Sequence, residues 1–215
     1  MKVLIIGANG QIGKHMVKML GLSSEHTVKA MVRKEEQQAT MNELGANEVV
    51  IGDLEKDFSH AYDGVDAVIF AAGSGGNTGK DKTEAVDLRG AVTSIEEAGK
   101  IGVQRFVLIS SILADRPEDG PKELQHYLKS KGAADEALQY SSLNYTILRP
   151  GGLSNDPATG TITAKLKLDD LNSTISREDV ASAAVNALTI SETFYSTIEI
   201  LSGNTSIGEA LKTFK

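Results

Sequence analysis

Short apolar runs alternate with stretches of helical spacing along the whole chain. The first run, residues 3–6, is continuously apolar and stops at Gly7, which is typical of a strand buried on both faces. Similar runs predict strands at residues 27–32, 48–51, 67–71, 105–109, 143–148 and 194–201. Between them, apolar residues recur every three or four positions, which predicts helices near residues 12–20, 35–44, 88–99, 122–140 and 180–188.

This alternation predicts the fold class. Strands that alternate with helices indicate βαβ units, which assemble a parallel sheet with helices on both faces. We therefore predict an α/β protein with a doubly wound parallel sheet. Ligands of such sheets bind beyond the carboxyl ends of the strands, near the point where the strand order reverses. Functional residues are accordingly expected in the segments that follow each strand.

The sequence shows no linker that would mark a boundary between domains. The chain has four prolines and no Pro/Ser-rich linker or internal repeat, so we predict one domain over residues 1–215. Residues 150–176 show the least regular pattern and hold several glycines. We expect residues 150–215 to contribute a small substrate-side region of that domain.

Composition and charge exclude several classes of function. The 215 residues carry 22 Lys and Arg against 29 Asp and Glu, a net charge of −7, which argues against nucleic acid as a partner because such binding needs cations on phosphates. The chain has no cysteine, and its four histidines lack ligand spacing, so we predict no metal site. No apolar stretch reaches the ~20 residues of a membrane span or the about 7–15 of a signal peptide. These features predict a cytoplasmic protein with a small-molecule substrate and no membrane partner.

A glycine-rich turn joins the first predicted strand directly to the first predicted helix. Glycines at this place allow a tight turn, close approach of the backbone to a pyrophosphate and close packing of the helix on the strand. The helix N-terminus adds free N–H groups and a positive dipole end for the anion. The turn therefore predicts a dinucleotide-binding loop. Its expected contact residues are Gly7, Asn9, Gly10, Gln11, Ile12 and Gly13.

The residues after the second predicted strand favour NADP(H) over NAD(H). An NAD site would place Asp or Glu about 20 residues beyond the loop, where it bonds the ribose hydroxyls. This chain has Arg33 and Lys34 at that position. Because cations suit a 2′-phosphate, we predict that both residues contact the cofactor and that NADP(H) is preferred.

The next two predicted strands end in residues expected near adenine and its ribose. Asp53 and Leu54 follow the third strand. A carboxylate there either accepts from the adenine amino group or is an exposed turn residue, and both interpretations stay open. Ala71, Ala72 and Gly73 follow the fourth strand, where small residues allow close packing against a flat ring or a ribose.

Candidate catalytic residues follow the fifth strand. That strand ends in Ser110 and Ser111, Tyr127 lies 16 residues after Ser111, and Lys131 lies four residues further on. Residues i and i+4 share a helix face, so Tyr127 and Lys131 are expected side by side. Hydride transfer to a carbonyl needs a proton donor, and a cation one turn away is expected to lower the pKa of tyrosine toward working pH. A serine hydroxyl can hydrogen-bond the substrate oxygen.

Taken together, these motifs resemble an atypical, single-domain short-chain dehydrogenase/reductase. The similarity runs along nearly the whole chain and is greatest to small bacterial NAD(P)-binding oxidoreductases. More distantly, it extends to flavin and biliverdin reductases and to NmrA-like redox sensors. Besides the glycine loop and Ser110-Ser111, it rests on Val86-Asp87-Leu88-x-Gly90, Gly102-Val103-x-Arg105-Phe106-Val107, Arg149-Pro150-Gly151 and Ile175-Ser176-Arg177-x-Asp179-Val180-Ala181.

The resemblance implies a Rossmann-type fold and assigns roles to single residues. Ser111, Tyr127 and Lys131 match the family's catalytic triad, and Ser110 is the competing serine. Lys131 would also hold the nicotinamide ribose, and Ser110 would lie beside the cofactor. Pro150, Gly151 and Gly152 match the segment that lies along the nicotinamide.

The implied activity is NADPH-dependent hydride transfer to a small carbonyl or conjugated acceptor. Two alternatives stay open: a redox sensor that binds NADP(H) without chemistry, and a flavin or quinone reductase that needs no tyrosine acid. A nucleotide-sugar epimerase or dehydratase is disfavoured, because only 65 residues follow Pro150. The sequence leaves the acceptor, the reaction direction and the oligomeric state open.

Overall fold

The computed structural model describes residues 1–75 and 79–214. Its strands are β1 (Lys2–Ile6), β2 (Thr27–Val32), β3 (Glu48–Ile51), β4 (Ala67–Phe70), β5 (Arg105–Ile109), β6 (Tyr145–Pro150), β7 (Gly152–Ser154), β8 (Thr161–Lys165), β9 (Thr174–Ser176), β10 (Ser196–Ser202) and β11 (Thr205–Ser206). Its α-helices are α1 (Gln11–Gly21), α2 (Gln38–Glu43), α3 (Lys80–Lys82), α4 (Ala91–Ile101), α5 (Gln125–Gln139), α6 (Arg177–Ala187) and α7 (Ile207–Leu211). A π-helical segment, Thr83–Gly90, joins α3 to α4.

Within the described residues, nine strands form one sheet in the order β11-β8-β10-β6-β5-β4-β1-β2-β3. The seven strands from β10 to β3 are parallel, whereas β8 runs antiparallel to β10. The chain passes outward from β1 to β3 on one side and from β4 to β6 on the other. The strand order therefore reverses between β1 and β4, which confirms the predicted doubly wound, Rossmann-type sheet.

The central strands bury both of their faces. Val3 and Ile5 of β1 pack on the side of α1 and α6, whereas Leu4 and Ile6 pack on the side of α4 and α5. All four side chains are fully buried. Because successive strand residues point to opposite faces, a continuous apolar run supplies two cores at once. These two layers hold the carboxyl ends of β1 and β4 side by side.

Two predicted segments differ in detail. The helix predicted for residues 35–44 begins with a 3₁₀ turn and becomes α-helical only over Gln38–Glu43. The irregular segment 150–176 contains β7 and β9, which pair with each other in a separate small sheet, and β8, which joins the main sheet. None of the helices in the described ranges has the length and apolar character that crossing a membrane requires.

Candidate functional site

The glycine loop folds tightly between β1 and α1. Gly7 has a φ of +88°, and a Cβ there would lie 2.6 Å from the backbone nitrogen of Ala72. A Cβ on Gly13 would overlap the carbonyl oxygen of Gly7. The N–H of Gly10 donates to that same carbonyl at 2.9 Å, which closes the turn. Glycine is thus required by the left-handed backbone at one end of the loop and by the close approach of α1 at the other.

The N-terminus of α1 is left open by this turn. Its N-cap residue is Gly10, no side-chain hydrogen bond caps it within the described ranges, and its first turn carries no acidic residue. The first N–H groups of a helix lack partners within the helix and carry the positive end of its dipole. This end of α1 therefore suits an anion, as the sequence predicts for the phosphates of a dinucleotide.

A cavity of ≈ 550 Å³ opens beyond the carboxyl ends of β1, β2, β3 and β4. Among its lining residues are nine predicted cofactor contacts: Gly7, Asn9, Gly10, Arg33, Asp53, Leu54, Ala71, Ala72 and Gly73. Nine other lining residues are not among the predicted contacts, and they include Gln37, Glu55, Ser74, Lys82 and Val86. The predicted contacts Gln11, Ile12, Gly13 and Lys34 lie in the same segments but do not line this cavity. The volume lies within the usual range of small-molecule sites, and the open backbone fits a nucleotide.

The turn after β2 presents Arg33 to this cavity, and its guanidinium has no partner among the described residues. The backbone N–H groups of Arg33 and Lys34 both donate to the Gln37 side chain at 3.1 Å, which holds the turn in place. The ammonium of Lys34 pairs with Glu36 at 3.4 Å. The exposed guanidinium of Arg33 makes no hydrogen bond or ion pair with any residue in the described ranges. Arg33 is therefore the better placed of the two to meet an anionic ligand.

Asp53 sits in the turn after β3 and also lines the cavity. One of its carboxylate oxygens accepts the N–H of Glu55 at 3.1 Å, and the other lies 3.9 Å from the ammonium of Lys56. The carboxylate thus stabilises its own turn. Its position in the cavity wall keeps it a candidate for the adenine amino group.

The candidate catalytic residues lie on α5 and at the end of β5. Lys131 is 2% exposed, and its ammonium donates to the carbonyl oxygen of Ile109 at 2.7 Å. Tyr127 lies one turn earlier on α5 and is mostly buried. Ser110 is 3% exposed, whereas Ser111 is only partly buried and its hydroxyl donates to the carbonyl oxygen of Ile112 at 3.1 Å. Of the two serines, Ser111 is the more accessible.

Two buried carboxylates that the sequence analysis missed flank these residues. Asp87, from the π-helical segment, is fully buried; one of its oxygens accepts the N–H of Ser74 at 3.0 Å. The other oxygen has no partner in the part of the chain that the structure describes. A Cβ on Gly73 would lie 3.2 Å from that oxygen, so the glycine leaves room for the carboxylate.

Asp135 is the second of these carboxylates and lies one turn beyond Lys131 on α5. It is 1% exposed and accepts from the Nε of Arg149 at 2.9 Å. Arg149, at the end of β6, also lies 3.2 Å from Asp115. Burial raises the pKa of Asp135, and Arg149, Ser110 and Lys131 act in the opposite direction. We call Asp87, Tyr127, Lys131, Asp135 and Arg149 the buried charge cluster.

The electrostatics at Tyr127 differ from the prediction. Burial and the carboxylates of Asp87 and Asp135 raise the pKa of the Tyr127 phenol above its ordinary value. Burial likewise lowers the pKa of Lys131, against the opposing effect of the same two carboxylates. The expectation that Lys131 lowers the pKa of Tyr127 is therefore wrong for this structure. Desolvation of the phenolate, together with two neighbouring negative charges, determines the direction of the shift.

The predicted nicotinamide segment lies at the end of β6. Pro150 accepts the N–H of Ile112 through its carbonyl oxygen at 3.1 Å, and the N–H of Gly151 donates to Ile200 at 3.1 Å. A Cβ on Gly151 would overlap the side chain of Leu201, so this glycine allows β10 to approach. Gly152 is exposed at the start of β7. Pro150 and Gly151 lie next to β10, whereas Gly152 pairs with β9, and none of the three lines the cavity of ≈ 550 Å³.

A second cavity, of ≈ 640 Å³, lies between α1 and the segment that follows β7. Gln11 and three basic or titratable residues of α1 contribute one wall, and Asn155 contributes to the other. Those three residues, which the sequence analysis did not single out, are Lys14, His15 and Lys18. Lys14 and His15 precede Lys18 by four and three positions, so all three share one side of α1, and this spacing is the signal that could have found them.

Comparison with known proteins agrees with this geometry. The chain is 45% identical over 215 residues to the uncharacterised sugar epimerase YhfK of Bacillus subtilis, covering 99% of each chain. It is 42% identical, over the full length of both chains, to a Bacillus halodurans protein of known structure named provisionally as an NAD-dependent epimerase/dehydratase, with a TM-score of 0.97. It is also 29% identical over 264 residues to sanguinarine reductase of Eschscholzia californica, covering 99% of this chain and 93% of that protein.

A family model described as NAD(P)H-binding matches residues 7–190. The match begins at the first glycine of the phosphate loop and runs through the helix that follows β9. It confirms the resemblance drawn from the sequence motifs. The chain belongs to this NAD(P)H-binding family, whose members resemble atypical short-chain dehydrogenases/reductases.

Proposed function

We propose that this protein is an NADPH-dependent reductase that transfers hydride to a small carbonyl or conjugated acceptor. The observation that carries the proposal is the position of Tyr127 on α5, one turn from the buried Lys131, whose ammonium contacts the last residue of β5. The two sides of the site supply complementary functions. The cavity with the glycine loop would hold the nucleotide, and the residues of α5 would supply the proton.

A nicotinamide cofactor, when bound, would supply the hydride, and the residues of the chain would bind the reactants and move the proton. Tyr127 donates its phenolic proton to the acceptor oxygen as negative charge develops there. Its raised pKa keeps it protonated, which suits a proton donor in the direction of reduction. Lys131 would hold the nicotinamide ribose. Ser111 positions the acceptor oxygen, because its hydroxyl is more accessible than that of Ser110.

Arg33 carries the proposed preference for NADPH. Its guanidinium lines the nucleotide cavity without a protein partner in the described ranges. A ribose 2′-phosphate would supply a matching anion, and a guanidinium binds phosphate oxygens in a bidentate manner. Asp53 and Leu54 would lie on the adenine side of the same cavity.

The similarity to sanguinarine reductase supports a reductase, whereas two closer relatives carry epimerase names. These activities differ in a measurable way. A reductase consumes NADPH in proportion to product, whereas an epimerase restores its nicotinamide in every turnover. Net oxidation of NADPH therefore separates the two.

The test is a screen of NADPH oxidation across aldehydes, quinones, flavins and nucleotide sugars, combined with titration calorimetry. Tyr127→Phe removes the proton donor and should lower kcat by about 10²–10⁴-fold while the Kd of NADPH stays unchanged. Tyr140→Phe is the matched control, because Tyr140 follows the same helix, is 89% exposed and should leave kcat unchanged.

Each alternative gives its own result. NADPH binding without turnover of any acceptor would indicate a sensor. Flavin or quinone reduction that is insensitive to Tyr127→Phe would indicate a reductase that needs no tyrosine acid. Conversion of a nucleotide sugar without net NADPH oxidation would indicate an epimerase. No heat with either nicotinamide nucleotide would overturn the proposal altogether.

A further inference from the structure

Two cations line the outer end of the nucleotide cavity, and their surroundings differ. Arg33, after β2, has no side-chain partner among the described residues, whereas the ammonium of Lys82 contacts both carboxylate oxygens of Glu55, at 2.7 and 2.8 Å. Lys82 ends α3, and Glu55 lies in the turn after β3, so their ion pair joins two walls of the cavity. Both side chains are partly exposed to solvent.

We propose that Lys82 is a second specificity-determining residue for the ribose 2′-phosphate, held on Glu55 until the nucleotide binds. This inference rests on the proposed NADPH preference and deepens it. The phosphate would replace Glu55 as the partner of Lys82 and would be bound by two cations from different segments of the cavity wall.

The charges in the cavity wall support such an exchange. Glu55 raises the pKa of Lys82, so the side chain stays a cation, whereas the positive charge of Arg33 acts on that pKa in the opposite direction. A phosphate monoester carries about −1.5 to −2 charges near neutral pH, more than a carboxylate. It can therefore compete with Glu55 for Lys82 and at the same time relieve the repulsion between Lys82 and Arg33.

The pairing with Glu55 also determines for which cofactor Lys82 increases the affinity. NADH has a hydroxyl where NADPH has the phosphate, so Lys82 keeps its partner when NADH binds. The contact then adds affinity for NADPH alone. Lys82 would thus act on discrimination between the cofactors, and not on the affinity that both share.

The first test compares the affinity of Lys82→Gln and wild type for adenosine 2′,5′-bisphosphate and for 5′-AMP. This pair of probes differs only in the 2′-phosphate and needs no acceptor substrate. We expect Lys82→Gln to raise the Kd of the bisphosphate by about tenfold, the size typical of a hydrogen bond to a charged group, and to leave that of 5′-AMP unchanged. Lys82→Arg should restore most of the loss.

Lys100→Gln is the matched control. Lys100 lies on α4 outside the cavity and pairs with Glu97 at 2.6 Å, so the control removes one ion-paired surface cation elsewhere. It should leave both Kd values unchanged. Equal Kd values for Lys82→Gln and wild type with the bisphosphate would overturn the inference.

A second test concerns Glu55. Glu55→Gln should lower the Kd of the bisphosphate severalfold in the wild-type background. In the Lys82→Gln background the same substitution should have little effect, because the side chain it releases is gone. An equal gain in both backgrounds would mean that Glu55 only repels the phosphate, and would overturn its role as the holding partner.

The two proposals fail in distinguishable ways. If wild type binds neither NADPH nor NADH, the proposed function fails, and the inference fails with it. If wild type prefers NADPH and Lys82→Gln keeps that preference in full, only the inference fails, and discrimination rests on Arg33.

Discussion

The two ends of the candidate site are built on opposite physical principles. The nucleotide cavity is open, and glycine backbone and exposed side chains such as Arg33 and Lys82 form its walls. The buried charge cluster is closed: Asp87, Lys131 and Asp135 are each at most 2% exposed. Binding of an anionic nucleotide needs donors that are accessible to it. Control of the transferred proton needs groups whose ionisation is set by burial and by neighbouring charges.

This difference separates affinity from chemistry. Substitutions in the cavity wall should alter which nucleotide binds and how tightly, because their side chains are already solvated. Substitutions in the cluster should alter folding or catalysis, because a buried charge that loses its partner has no solvent to replace it. The four predictions that follow test this division, from the largest expected effect to the smallest.

Asp135→Ala should destabilise the protein most. The substitution leaves Arg149 buried, with Asp115 as its remaining acidic partner at 3.2 Å, and Asp115 is itself 43% exposed. Removal of one partner of a buried pair typically costs about 3–5 kcal/mol of the free energy of unfolding. Urea unfolding measures the loss.

Asp169→Ala is the matched control for that substitution. Asp169 also pairs with a basic residue, Lys165 at 2.9 Å, but it is 89% exposed. We expect little change in its unfolding midpoint, because exposed pairs contribute little. Equal midpoints for the two variants would contradict the contrast between the closed cluster and the solvated surface.

Gly13→Ala should have the next largest effect on stability. A Cβ at Gly13 would overlap the carbonyl oxygen of Gly7 and would lie 2.7 Å from that of Ala8. The loop must shift to accept it, at a typical cost of about 1–3 kcal/mol of stability, and nucleotide affinity should fall with it. Thermal unfolding and titration with NADPH measure the two effects.

The control is the same substitution at another helical glycine. Gly99 lies in α4, and a Cβ there would meet no atom within 4 Å. Gly99→Ala should therefore stabilise the protein slightly, by about 0.5–1 kcal/mol, through the lower conformational entropy of the unfolded chain. If both alanine variants lose stability equally, the close approach at Gly13 is not the cause.

The same contrast explains what the sequence could predict. Gly7, Gly10 and Gly13 form one contiguous motif between a strand and a helix, so their role can be inferred without knowledge of distant contacts. Tyr127 and Lys131 could be identified for a similar reason, because a spacing of four positions on one helix is a local pattern. The fold class followed from the alternation of apolar runs and helical spacing.

The missed residues depend on contacts that are remote in the sequence. Asp87 reaches the cluster through the π-helical segment Thr83–Gly90, and Lys82 meets Glu55 across 27 positions. Asp135 had a usable signal, because it continues the spacing of Tyr127 and Lys131 by one more turn. The raised pKa of Tyr127 could not be read from that spacing, since burial is its largest cause and Asp87, from another segment, comes before Asp135 of the same helix.

Arg33→Asp should have a smaller effect, confined to the nucleotide cavity. It removes the unpaired cation near the proposed 2′-phosphate and offers a carboxylate to the ribose hydroxyls of NADH. We expect the ratio of the Kd values for NADPH and NADH to shift toward NADH by about tenfold or more, with no change in the unfolding midpoint. Calorimetric titration with both cofactors measures the shift.

Arg89→Asp makes the same change of charge at an exposed position that does not line the cavity. This control should leave the ratio unchanged. A shift of equal size in Arg89→Asp would assign the effect of Arg33 to the net charge of the protein and not to its position.

The smallest expected effect is that of pH on kcat, and it tests the buried charge cluster. A tyrosine whose pKa is raised keeps its proton at higher pH than an ordinary one, so the donor form of Tyr127 should persist across the neutral range. With NADPH saturating, kcat for carbonyl reduction should therefore change by less than about twofold between pH 6 and 9. The reverse reaction needs the phenolate, so its kcat should rise with pH over the same range. Saturation matters because the 2′-phosphate itself titrates at about pH 6 and would otherwise change binding. A fall of the reductive kcat centred near pH 7 would mean that the Tyr127 phenol ionises there. Lys131 and the bound cofactor would then lower the pKa of Tyr127 by more than burial raises it, which would contradict the raised pKa that the structure indicates.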